Sequence, residues 1–114
     1  MIFDLIKERR SIFPAQYIDK PIAKETIEQI LEAANWAPTH KKTEPWRFKV
    51  LTGDKKQELG AFLSTKYQEV DPKPKQMKIK KLQFNPSNSG AVIAICMQRD
   101  PKESLPEWEE IASV

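Results

Sequence analysis

From Ala23 to Trp36 the apolar residues Ile27, Ile30, Leu31 and Ala34 recur at i, i+3, i+4 and i+7, while Lys24, Glu25, Glu28, Gln29 and Glu32 fall elsewhere. That spacing predicts an amphipathic helix whose apolar face packs against a sheet. Trp46-Arg47-Phe48-Lys49-Val50-Leu51 alternates apolar and basic residues before Gly53, the pattern of a strand with one buried face. Ala91 to Met97 is instead a continuous apolar run, which predicts a strand buried on both faces. Ile2, Phe3, Leu5 and Ile6 place a short helix at the start that ends near Arg9-Arg10, and Ala15 to Lys20 reads as extended. A further helix begins with Asp54 as N-cap and carries Leu59, Phe62 and Leu63, and another opens at Glu107. The order helix, helix, strand, helix, strand, helix is α plus β with two strands, and a two-stranded sheet is marginal on its own. The expectation is therefore part of a larger fold, or one that borrows structure from a second chain.

The turn-rich segments change this picture most at Ala37 to Phe48. Pro38 marks a helix end and Pro45 is expected to hold Glu44 extended, so the residues between form a shaped polar loop between two rigid elements. That loop carries His40, the sole histidine, beside Lys41 and Lys42. Such a loop suits ligand contacts, although an ordinary helix-to-strand connection has the same look. Between Asp71 and Lys81, five lysines and two prolines (Pro72, Pro74) predict a mobile or partly helical surface excursion. Tyr67 and Phe84 flank it, so base stacking beside a basic backbone-binding stretch is conceivable, but a solvated face is the commoner fate of such a run.

Composition narrows the chemistry. The 114 residues carry 19 basic and 16 acidic side chains, a net charge of +3, too balanced to imply nucleic acid. No apolar run approaches the ~20 residues needed to cross a bilayer, and the first residues do not form a signal peptide, so a cytoplasmic location is the default expectation. The single cysteine, Cys96, reads as a small core residue, and no metal-ligating set is present. Three glycines exclude a dinucleotide fingerprint or P-loop. Arg9-Arg10-Ser11 could surround a phosphate through planar guanidinium donors and a hydroxyl, or could simply be solvated cations favoured at a helix C-terminus. No nucleophile and base can be assembled around His40, so no side-chain catalysis is expected.

In combination these pieces resemble one family. Arg9-Arg10-Ser11 after a short helix, Lys20-Pro21-Ile22, Ala37-Pro38-Thr39-His40-Lys41 and then Glu44-Pro45-Trp46-Arg47-Phe48 look like the N-terminal portion of the nitroreductase superfamily. Leu105-Pro106-Glu107-Trp108-Glu109-Glu110 resembles the entrance to its long central helix. The resemblance implies an α+β, nitroreductase-like three-layer sandwich in partial form, its sheet flanked by helices, as an intertwined homodimer. Residues 1–114 would be a single domain lacking the C-terminal half of the family fold. It also implies FMN at the dimer interface, NAD(P)H as reductant, and nitroaromatic, quinone or similar small-molecule acceptors. By matching motif positions, Arg9, Arg10 and Ser11 would hold the phosphate and ribityl end from one subunit. His40, with Trp36 and Thr43 in its loop, would approach the same flavin from the other. The flavin would carry the chemistry, leaving no catalytic side chain to find. Members often have another arginine shortly after the serine, whereas Ile12 to Gln16 supplies none here. The alternative reading is a non-catalytic fragment or dimerising interaction module that buries its open strand edges against another chain.

Overall fold

The computed structural model describes residues 1–114. Five helices and two strands appear in the order α1 (Ile2–Glu8), α2 (Lys24–Asn35), β1 (Trp46–Leu51), α3 (Asp54–Val70), α4 (Gln76–Ser87), β2 (Val92–Met97) and α5 (Glu107–Ser113). Short 3₁₀ turns occupy Pro14–Gln16 and His40–Lys42. The fold is α+β, as the patterning predicts. The chain forms two compact units: Met1–Asp19 with Lys56–Ser89, and Lys20–Lys55 with Gly90–Val114. No helix is long and apolar enough to cross a membrane.

In the first unit, α3 and α4 approach so closely at Gly60 that a Cβ there would lie 2.7 Å from the Gln83 carbonyl oxygen. One turn along, buried Ser64 accepts a hydrogen bond from Gln83 Nε2 at 3.2 Å and donates to the Ala61 carbonyl at 3.0 Å, so neither hydroxyl function is orphaned. Helix α4 falls inside the segment expected to be a partly helical excursion. It packs on the Pro14–Gln16 turn, where the Asn88 side chain donates to the Pro14 carbonyl. Its inward positions are Ile79, Leu82 and Pro86, a helical spacing that the surrounding lysines and prolines hide. Tyr67 orders the approach: its hydroxyl accepts from the Lys75 backbone amide at 3.1 Å, and Lys78 Nζ sits 4.4 Å from its ring centroid. That ring is therefore already engaged. Residues expected to be extended after Pro14 instead begin with the 3₁₀ turn, which the Phe13 amide and the Gln16 side chain close at 3.4 Å.

The second unit is built on the antiparallel β1–β2 ladder, registered Trp46↔Met97 through Leu51↔Val92. The Gln98 amide donates to the Pro45 carbonyl at 2.7 Å, extending the pairing by one step. Pro45, Trp46, Ile27 and Leu105 form the buried apolar centre, and Trp46 Nε1 donates to Asn35 Oδ1 at 2.9 Å, fastening the end of α2 to the start of β1. From α2, Leu31 and Ala34 are half-buried, but Ile30 is exposed. Strand β2 departs from expectation, because none of its residues is fully buried and Ile95 is 59% exposed. With β1 as its one paired neighbour, the strand has no layers covering both faces. Cys96 is accordingly half-buried rather than a core residue.

A carboxylate supplies the other anchor. Glu110 is 0% exposed, accepts the Asp100 backbone amide at 2.9 Å through Oε1, and pairs with Arg99 Nε at 3.0 Å through Oε2 without hydrogen-bond alignment. Arg99 also donates to the Leu105 carbonyl at 2.9 Å, so the 99–106 loop is tied to α5. Glu107, Glu109 and Glu110 stand in the first turn of α5, where the helix dipole favours negative charge. The Ser104 hydroxyl, donating to Asp100 Oδ2 at 2.9 Å, holds the Asp100 carboxyl below its ordinary range. That contribution is complete above the unfolded carboxyl's pKa of about 4 and is lost as pH falls through the lower folded value.

Two backbone details also differ from the sequence reading. Asp54 lies within the first turn of α3 rather than before it, following Gly53 at φ 54°. Glu44 is not extended: its φ is 44°, and Lys41 and Lys42 have φ of 55° and 52°. Arg47 Nη1 donates to the Glu44 carbonyl at 2.9 Å and the Trp46 carbonyl at 2.7 Å, which fixes the chain direction into β1 against the preference Pro45 imposes.

Four substitutions test this packing by denaturant unfolding. Gly60→Ala is expected to destabilise, because overpacking against a backbone carbonyl costs about 1–3 kcal/mol while the gain in helix propensity is about 1 kcal/mol. Glu110→Ala, which strands the Asp100 amide and a neighbouring guanidinium, is expected to cost about 3 kcal/mol or more. Lys42→Gly is expected to be neutral or to stabilise by up to about 1 kcal/mol by relieving a left-handed residue, whereas Lys80→Gly inside α4 should cost about 1 kcal/mol.

Candidate functional site

Helix α1 ends at Glu8 because Arg9 turns to an extended conformation, φ −57° and ψ 133°. The basic residues that follow are exposed. Arg10 folds back so that Nη1 donates to the carbonyls of Lys7 and, at 3.0 Å, Arg9, satisfying backbone oxygens that the helix end leaves open. The Arg9 guanidinium and the Ser11 hydroxyl have no partner within the chain. One cation thus caps the helix, while the exposed Arg9 guanidinium and, two positions on, the exposed Ser11 hydroxyl stay open, donor types that suit an anion.

Trp36, Thr43 and His40 belong to the second unit, and Arg9, Arg10 and Ser11 to the first. Trp36 closes α2, its amide donating to the Ala33 carbonyl at 3.3 Å and the next amide, of Ala37, to the Ala34 carbonyl at 3.1 Å, and Trp36 itself is 84% exposed. Thr39 and Thr43 face each other across the 3₁₀ turn with hydroxyls 3.5 Å apart. Between them the chain runs through the left-handed residues Lys41 and Lys42, with left-handed Glu44 just after. Non-glycine residues in that region cost about 1–3 kcal/mol each and persist where the surroundings over-determine them.

Two cross-links do so here. His40 Nδ1 lies 2.8 Å from Glu109 Oε2 on α5, and Lys41 Nζ donates to the Ser104 carbonyl at 3.3 Å. The His40 side chain is 61% exposed and its Nε2 has no partner within the chain. Nothing in the sequence pairs His40 with Glu109, 69 positions away, since the contact depends on how β1 and β2 pair. Beside this loop an apolar crevice of about 180 Å³ is lined by Ala34, Ala37, Trp46, Phe48 and Ile95 together with Ser113 and Val114. No cluster of three or more His, Cys, Asp or Glu side chains is placed to hold a metal ion.

Comparisons with known proteins bear on what this arrangement serves. The nitroreductase family model matches residues 6–114. A nitrobenzene nitroreductase of Ectopseudomonas oleovorans is 38% identical over 58 residues, 51% of this chain and 25% of that protein. A 4-nitrobenzoate reductase of Pseudomonas putida is 33% identical over 72 residues, 63% of this chain and 31% of that protein. The chain thus spans between a quarter and a third of the length of these curated relatives. The crystal structure of a nitroreductase-like family protein from Bacillus cereus superposes with a TM-score of 0.79 at 28% identity, covering 99% of this chain and 57% of that one. With the family model matched along nearly its whole length and a solved fold of that kind superposing on it, the chain belongs to the nitroreductase family.

Proposed function

We propose that this chain forms part of an FMN-dependent oxidoreductase that passes reducing equivalents from NAD(P)H to nitroaromatic, quinone or similar small acceptors. The observation that carries the reading is the open Arg9 guanidinium and Ser11 hydroxyl within the Arg9-Arg10-Ser11 triplet of a chain of this family. The residues fit an FMN group in kind: Arg9 offers an unengaged guanidinium fork for a phosphate, and Ser11 an unengaged hydroxyl. Arg10 joins them once it releases the Lys7 and Arg9 carbonyls. His40, Trp36 and Thr43 are the residues proposed to approach the same flavin from the other subunit of a homodimer. Bound FMN would supply the hydride-accepting ring, and the protein's part is to bind, orient and shield it. A nitroaromatic acceptor is supported by the names of the relatives, which are a nitrobenzene nitroreductase and a 4-nitrobenzoate reductase.

A homodimer, located in the cytoplasm, is part of the same proposal. Ile2, Phe3, Leu5 and Ile6 of α1 are all largely exposed, and that helix buries no residue. A seven-residue helix is too short to persist in water without packing, so an apolar surface from a second copy suits it. The same exposure, with the open edges of β1 and β2, supports the second reading, a dimerising module without catalysis.

Titrating the purified chain with FMN, with mass and oligomeric state measured alongside, separates the two. Saturable binding to a dimer, followed by nicotinamide-driven flavin reduction, is expected from the first reading; a dimer that binds no flavin would leave the second. Replacing Arg9 and Arg10 together by alanine is expected to weaken FMN binding about thirtyfold, roughly 2 kcal/mol. Arg9→Ala alone should account for more of that loss than Arg10→Ala, because Arg10 must first give up its bonds to the helix end. Unchanged affinity in the double variant would reject the phosphate assignment.

A further inference from the structure

Resting on the reading of His40 as a ligand contact, we infer that Glu109 is its positioning residue, fixing the imidazole so that Nδ1 carries a proton and Nε2 faces outward as the ligand-binding atom. The 2.8 Å contact joins Nδ1 to a carboxylate that is acceptor-only when ionised, so the shared proton resides on the ring nitrogen. In the neutral ring this leaves the lone pair on Nε2, and which nitrogen is protonated is set by the bond the other makes. Glu109 suits the task. It is three-quarters buried, with 25% of its side chain exposed, and it sits on a helix whose adjacent residue Glu110 is locked to Asp100 and Arg99. Next to His40, Lys41 is tied to the Ser104 carbonyl, so the strained turn is held from both residues that reach toward the 104–109 segment. The outward atom is then a hydrogen-bond acceptor, which selects a ligand presenting an N–H or O–H donor at that point. A ring held only by solvent would offer no such fixed choice.

His40 is the sole histidine in the chain, so imidazole nitrogen signals need no assignment. The experiment is two-bond ¹H–¹⁵N correlation spectroscopy of the ¹⁵N-labelled chain without ligand, at a pH where the ring is neutral, for the unaltered protein, Glu109→Ala and Glu109→Gln. The Nδ1–H tautomer is expected to predominate in the unaltered protein. In Glu109→Ala its share should fall several-fold toward the Nε2–H form, and Glu109→Gln, which keeps an acceptor oxygen, should restore part of it. Circular dichroism of each variant guards against unfolding, and a spectrum of the unaltered protein dominated by Nε2–H overturns the inference without any variant. So does an identical tautomer ratio in the unaltered protein and a folded Glu109→Ala. An FMN titration of the same samples keeps the two levels apart. Glu109→Ala and His40→Ala should each weaken FMN by roughly tenfold and their combination by little more. A Glu109-dependent tautomer in a chain that binds no FMN would support the positioning role and reject the flavin reading. FMN binding with a tautomer indifferent to Glu109 would do the reverse.

Discussion

The register Trp46↔Met97 governs what the second unit can do. An antiparallel pair places the start of one strand beside the end of the other. The loop entering β1 and the loop leaving β2 therefore emerge from the same end of the ladder. The first carries Trp36, His40 and Thr43; the second leads through Asp100 and Ser104 to α5. Their proximity makes the His40–Glu109 and Lys41–Ser104 contacts available, and these in turn hold a turn in which Lys41 and Lys42 are left-handed. A shift of the strands by one residue would turn Trp46 away from Asn35 and remove the anchor on which the loop geometry rests.

The stabilising interactions are unevenly distributed. Four large apolar side chains are buried, Ile27, Trp46, Ile79 and Leu105, so much of the order near the site is polar. Glu110 is the clearest case, because a buried carboxylate is tolerated only with donors around it, and the Asp100 amide and Arg99 supply them. Such an arrangement fixes geometry more than it adds stability. Meanwhile the apolar positions of α1 and Ile95 of β2 remain open to water. Apolar surface of that kind belongs under another protein layer, which is the physical content of the homodimer proposal.

The features legible in the sequence and those that are not differ in the range of the forces that set them. Elements with clear patterning were legible: α2 within about two residues at either end, α5 at its start, β1 at both its ends, and β2 to within a residue at its start. Helix α4 was obscured because its inward positions, Ile79, Leu82 and Pro86, are diluted by lysines that solvent accommodates. Arg9-Arg10-Ser11 and the loop around His40 stood out as chemistry-bearing from residue type and order alone. What Arg10 does at the end of α1 follows from helix-end carbonyls that no residue pattern displays.

The sequence by itself determined most of the segments that form helices and strands, α4 and the Pro14–Gln16 turn excepted, and which short stretches carry cations, a hydroxyl and an imidazole, because backbone propensity and side-chain chemistry act over a few residues. Tertiary structure alone decided that Glu44 would turn left-handed before a proline, that Glu110 of α5 would be fully buried, and that His40 would meet Glu109. Each depends on strand register and loop closure between residues far apart in the chain, where local preference is overruled by the contacts that the pairing brings together.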